Sequence, residues 1–248
     1  MSKIYADTIE TANPNVDLTF GTTGDAVLIP TGATLKTNTI QDAGGNNIIT
    51  SNGSGSLTVN SGLGGAVNLL TNNTFTNTEF ATFTTLIDST YDVYLFKYIE
   101  INPDTNDQVF NFQGSTNGGT GWGVTQTTTF FRTEHNENDA AQSLAYQTGQ
   151  DLANSAGAQP LAYSVGEDAD SSLSGELYLF SPSSTTYAKN YYATTQWQFK
   201  NSIGHLQACE SLVSGYFNTT SAVDAVRFGM TGAAQMDGTI KMYGISKS

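Results

Sequence analysis

LTVNSGLGGAVNLLT, residues 57–71, sets two short apolar runs around a glycine-rich centre, the pattern of a β-hairpin. A lone hairpin of this size is marginal in water, because nothing covers its apolar side. What covers it decides the fold of the first third of the chain. LTFGTTGDAVLI (18–29) and TIQDAGGNNII (39–49) repeat the order of strand, glycine turn and strand. The return strands begin near Val27, Ile48 and Val67, a spacing of about 20 residues that marks stacked units burying their faces against neighbours. IYADTIE (4–10) and LKTNTIQ (35–41) echo each other in the same region.

Up to residue 80 the chain holds only Phe20, Phe75 and Phe80 of its 13 phenylalanines, one tyrosine (Tyr5) and no tryptophan. Aromatic rings supply much of the area of a compact core, so this region is expected to lack one of its own. The expectation is a repetitive β-hairpin, β-prism-like shaft or anchor over residues 1–80. Sister subunits of a homotrimer would cover its stripes, carried by Leu18, Phe20, Val27, Ile29, Ile40, Ile48, Leu57, Val59, Val67 and Leu69. A meander packed on the following domain is the alternative.

Residues 81–248 read differently. YDVYLFKYIEI (91–101) alternates, with Tyr91, Val93, Leu95, Ile99 and Ile101 on one face and Tyr94, Phe96 and Tyr98 on the other. YYATTQWQF (191–199) sends Tyr191, Ala193, Thr195, Trp197 and Phe199 one way, and Tyr192, Thr194, Gln196 and Gln198 the other. Further strands are expected at 108–113, 124–132, 161–165, 175–181, 211–217, 226–230 and 239–245, and one helix at 138–146 (NDAAQSLAY) with Asn138 or Asp139 as its cap. The fold class is therefore all-β, with an antiparallel β-sandwich head of jelly-roll type after the repetitive region.

Composition restricts the chemistry. The chain of 248 residues carries 22 acidic against 9 basic residues, a formal net charge of −13, which repels nucleic acid and anionic membranes. No apolar run is long enough to span a bilayer, and MSKIYADTIE lacks the apolar centre of a secretory signal. Cys209 is the only cysteine, which excludes an internal disulfide and suits assembly in a reducing cytoplasm. His135 and His205 do not form a metal spacing, and Cys209 with His205 lacks a third partner for nucleophilic catalysis. GGTGWG (118–123) has neither the lysine nor the following helix of a phosphate loop. The acidic stretches EHNEND (134–139) and GEDAD (166–170) could offer oxygen ligands to calcium. From Asp168, however, Leu173 and Leu179 stand where an EF-hand needs glycine and the closing glutamate. A glycan-cleaving enzyme would draw on Glu134, Glu137, Asp168 or Asp170. No catalytic residue, metal or cofactor is assigned from the sequence. Trp122, Tyr187, Tyr191 and Tyr192 are the aromatic side chains that could stack on a surface glycan.

MSKIYADTIET (1–11) and TLKTNTIQDAGGNNIIT (34–50) resemble the front segments of bacteriophage virion proteins, chiefly fibre and tail-associated proteins of marine and cyanobacterial phages. GTIKMYGIS (238–246) resembles the last strand of β domains in such proteins. The resemblance implies a trimeric virion component assembled in the host cytoplasm. Its front would attach to or form a shaft and its back would stand exposed as a knob; the partners expected are tail, collar or capsid proteins and a host surface glycan. The function expected is a non-enzymatic short fibre or spike; a capsid decoration protein and a glycan-binding or depolymerising tip are the alternatives.

Overall fold

In the computed structural model, the residues described are 39–41, 44–51, 53–54, 57–59, 66–200 and 206–247. They are all-β apart from one short 3-10 turn at Thr231–Ala233. The chain divides into two compact units, residues 1–60 and 61–248. Residues 61–80, read from the sequence as the end of the first region, thus fall with the second unit.

In the first unit, β1 (Thr39–Gln41), β2 (Asn47–Ser51) and β3 (Leu57–Val59) form an antiparallel sheet in the order β1-β2-β3. The first hairpin matches its sequence expectation: Ile40 faces Ile49, and Gly45 supplies a positive φ in the turn. Where their burial is described, side chains of this unit are exposed or half-buried, and none is buried. The stretch 57–71 is not a hairpin: β3 pairs with β2, and the run from Val67 belongs to another sheet.

The second unit runs through β4 (Val67–Thr78), β5 (Phe80–Phe83), β6 (Val93–Pro103), β7 (Gln108–Ser115), β8 (Gln126–Asn136) and β9 (Gln142–Tyr146). It continues with β10 (Gln159–Val165), β11 (Leu173–Phe180), β12 (Lys189–Lys200), β13 (Leu206–Phe217), β14 (Ala225–Met230) and β15 (Met236–Ile245). An eight-stranded sheet has the order β4-β15-β6-β11-β12-β13-β8-β9, and a four-stranded sheet the order β10-β7-β14-β5. Every pairing is antiparallel.

Their facing side chains form one sandwich core. Phe228 of the small sheet meets Phe83, Phe96, Tyr98, Phe110 and Phe112 at ring-centroid separations of 5.2–6.2 Å. β12 alternates as expected, with Tyr191, Ala193, Thr195 and Trp197 buried.

Two sequence expectations fail for local reasons. Ile101 was placed with Leu95, yet it is buried on the side of Tyr94, Phe96 and Tyr98. A bulge resets the alternation: Glu100 has φ +52°, and the registers against β11 and β15 both shift there. The helix expected at 138–146 is a turn followed by β9, an edge strand on β8. The Phe131–Tyr146 cross-strand ring pair, at 5.2 Å, outweighs the helix preference of Ala140 and Ala141.

Tyr98 binds three strands together. Its hydroxyl meets Thr195 Oγ1 at 2.7 Å and donates toward the carbonyls of Thr194 (3.1 Å) or Glu176 (3.2 Å). Its ring lies over Gly175, where an added Cβ would sit 2.6 Å from Tyr98 and 2.2 Å from the Thr194 carbonyl oxygen. Gly175→Ala must therefore push backbone apart, and we predict a loss of about 1–3 kcal/mol in urea unfolding. Stability should also fall at alkaline pH. Burial raises the pKa of Tyr98 and Tyr191 and lifts Cys209 to about 11, so the unfolded chain releases these protons first. The melting temperature should decline from about pH 9 upward, measured by circular dichroism.

Candidate functional site

Strand alternation gives the eight-stranded sheet an inner face committed to the core and an outer face set by the intervening residues. Cross-strand register arranges those outer residues in rows. Ser174, Gln196, Glu210 and Thr133 form one row, and Gln198, Ala208 and His135 the next. Together with Ser172 they line a groove of about 550 Å³. The backbone of Trp197, Cys209 and Glu134 runs between the rows, and the first two of these side chains are buried in the core.

The groove is polar without being basic. The Gln198 carboxamide oxygen accepts from the Ser172 N–H at 3.2 Å, and Ser174 Oγ accepts from the Glu100 N–H at 3.0 Å. His135 Nε2 lies 3.0 Å from Asp139 Oδ1.

On the other side of the first row is an apolar hollow of about 410 Å³, lined by Phe131, Leu144, Thr194 and Leu212 and sharing Thr133 and Glu210 with the groove. Leu144 is 72% exposed and Leu212 50% exposed. One row further, Tyr178 and Tyr192 stack at 4.9 Å with an interplanar angle of 18°, and Phe180 lies 5.9 Å from Tyr192. The outer face thus grades from amides and hydroxyls, through aliphatic side chains, to stacked rings.

The four aromatics singled out from sequence do not meet in one place. Tyr192 belongs to the outer-face ladder. Tyr187 is 73% exposed on the loop before β12. Trp122 is half-buried beside Arg227, whose guanidinium lies 4.9 Å from its ring centre and 4.0 Å from that of Phe80. Tyr191 is corrected: it is only 2% exposed, and its hydroxyl donates to Gln126 Oε1 at 2.6 Å. Its parity on β12 places it inside with Trp197, whereas Tyr192 faces out.

Among the residues named for subunit contact, Val67 and Leu69 are 52% and 55% exposed on β4, and Ile40 and Ile48 are exposed or half-buried. Leu57 and Val59 lie in β3. Leu18, Phe20, Val27 and Ile29 lie outside the described residues, as does His205.

The acidic candidates are dispersed in their partnerships. Glu134 pairs with Arg132 and accepts from Ser143 Oγ at 2.9 Å. Glu137, Asp168 and Asp170 are exposed. Among the described residues, no group of three or more His, Cys, Asp or Glu side chains is placed to hold a metal ion.

Sequence reasoning overlooked Gln196, Gln198, Ser174 and Glu210 as site residues. The signal was available for two of them, as the outward members of the YYATTQWQF alternation. Comparison with protein-family models, with curated proteins and with solved structures returns no match.

The groove floor makes a chemical prediction. The Cys209 thiol is buried and its pKa is pushed up to about 11, chiefly by desolvation. In folded protein at pH 8 iodoacetamide should leave it unmodified, and in urea it should label fully, as read by mass spectrometry.

Proposed function

We propose that this protein is a non-enzymatic structural component of a bacteriophage virion, a short trimeric fibre or spike built in the host cytoplasm and attached to tail, collar or capsid proteins. The observation that carries this reading is the end-to-end polarity of the sandwich. Val67, where β4 begins, pairs with Ile245, where β15 ends, so the chain enters and leaves the sandwich at one pole. The polar groove lies toward the opposite pole, in the rows of Ser174 and Gln198. A body held at one end and presenting a face at the other is suited to display.

Trimerisation is supported by the first unit. A three-stranded sheet with no buried side chain among those described gains little from folding alone, and three copies around an axis would close it. The β-prism-like packing of the first third is part of this proposal. A jelly-roll-like connectivity of the head is a further part. It is supported by the way successive strands β4 to β8 alternate between the large and the small sheet. Three heads would present three copies of the outer face together, so weak contacts with a host surface would be strengthened by effective concentration.

Light scattering on the full chain at micromolar concentration should give a mass near three times 26.4 kDa. A monomer under those conditions would overturn the proposal.

A further inference from the structure

We infer that the groove on the outer face of the eight-stranded sheet is a binding site for a neutral oligosaccharide. The inference deepens the display reading, because it names what the presented face would hold. It rests on three features of the face.

The first is the chemistry of the lining. Gln196 and Gln198 each carry both donor and acceptor capacity, Ser172 and Ser174 add hydroxyls, and Glu210 adds a half-exposed carboxylate on the same row. Vicinal sugar hydroxyls, each a donor and an acceptor, are matched by such mixed groups on neighbouring strands about 5 Å apart.

The second is charge. Among the described side chains, no lysine or arginine lines either the groove or the hollow, while Glu210 lines both. With a chain charge of −13, an anionic ligand would meet repulsion, and no counter-charge among the described side chains. A neutral polyhydroxylated ligand meets neither obstacle.

The third is continuity. The polar groove passes across Thr133 and Glu210 into the hollow of Phe131, Leu144 and Leu212, and Tyr192 lies one row beyond. A pyranose has a hydroxylated rim and apolar C–H faces, so a chain of several rings would lie along this gradient. Its hydroxyls would meet the amides, and its C–H faces the apolar side chains. The groove volume of about 550 Å³ falls in the range of small-molecule sites, roughly 300–1,000 Å³.

The experiment is isothermal titration of the full chain with neutral hexasaccharides: maltohexaose, cellohexaose, laminarihexaose, mannohexaose, xylohexaose and chitohexaose. Hexagalacturonate serves as the anionic arm. At least one neutral ligand should bind with a Kd of about 1 mM or tighter. Gln196→Ala and Glu210→Gln should each weaken it about tenfold with melting temperatures unchanged, and Tyr192→Ala should also weaken it. Three results would overturn the inference: no neutral ligand binding in this range, preference for hexagalacturonate, or groove variants that bind as the parent does. The light-scattering mass is read on the same samples. A trimer without sugar binding removes the ligand assignment alone, and a monomer that binds sugar removes the trimeric spike alone.

Discussion

Phe228 is the side chain on which the sandwich depends. It projects from the narrow sheet into a cage of five rings, two of them, Phe96 and Tyr98, on the wide sheet. Such edge and offset contacts add to the area that each ring removes from water. Polar bolts supplement them: Tyr98 ties β6 to β11 and β12, Tyr191 reaches Gln126, and the buried Lys189 ammonium donates to the carbonyls of Tyr187 at 2.8 Å and Thr219 at 3.0 Å. The exposed ion pairs Lys97–Glu176 and Lys247–Asp92 contribute little by comparison. Stability that comes from the interior leaves the surface chemistry unconstrained. An outer face of amides, hydroxyls and rings with few charges is compatible with this core.

Strand parity was legible wherever the ladder is regular. In β12 one alternating run assigns both faces, and the structure follows it from Tyr191 to Trp197. Parity failed where one inserted residue resets it. Nothing in the letters YIEI announces that Glu100 will adopt a left-handed conformation, because the bulge answers to two neighbouring strands at once. The same non-locality explains β9. NDAAQSLAY has a helix-compatible composition, and only the open edge of β8, with Phe131 waiting opposite Tyr146, makes it a strand. For residues 57–71, local grammar proposed a hairpin, but its first half pairs with the preceding strand β2 and its second half with the distant β15.

The outer face was legible only in fragments. Tyr192 could be found as an aromatic in an alternating strand, but its stacking partner Tyr178 comes from a separate hairpin arm, and Glu210 and Thr133 from two further strands. A groove assembled across four strands has no contiguous signature. Aromatic character alone misled at Tyr191, where the neighbouring position on the same strand was the exposed one. Unremarkable glutamines and serines make up most of the polar lining, and such residues draw attention only once register aligns them.

The pairing of β4 with β15 has a temporal consequence. Among the described residues β4 has β15 as its one sheet partner, and β15 also fills the place between β4 and β6. During synthesis, therefore, β4 emerges early and must wait for nearly the whole sandwich to follow before it can dock. Until then β6 shows an open rim to the cell. Closure of so non-local a ribbon is a slow step, in which Leu70 and Phe75, packed in the finished fold, stay uncovered on nascent chains. The wide sheet is in this sense zipped last by the last of its own strands to be made, so the order of synthesis, more than local propensity, sets when the sandwich closes.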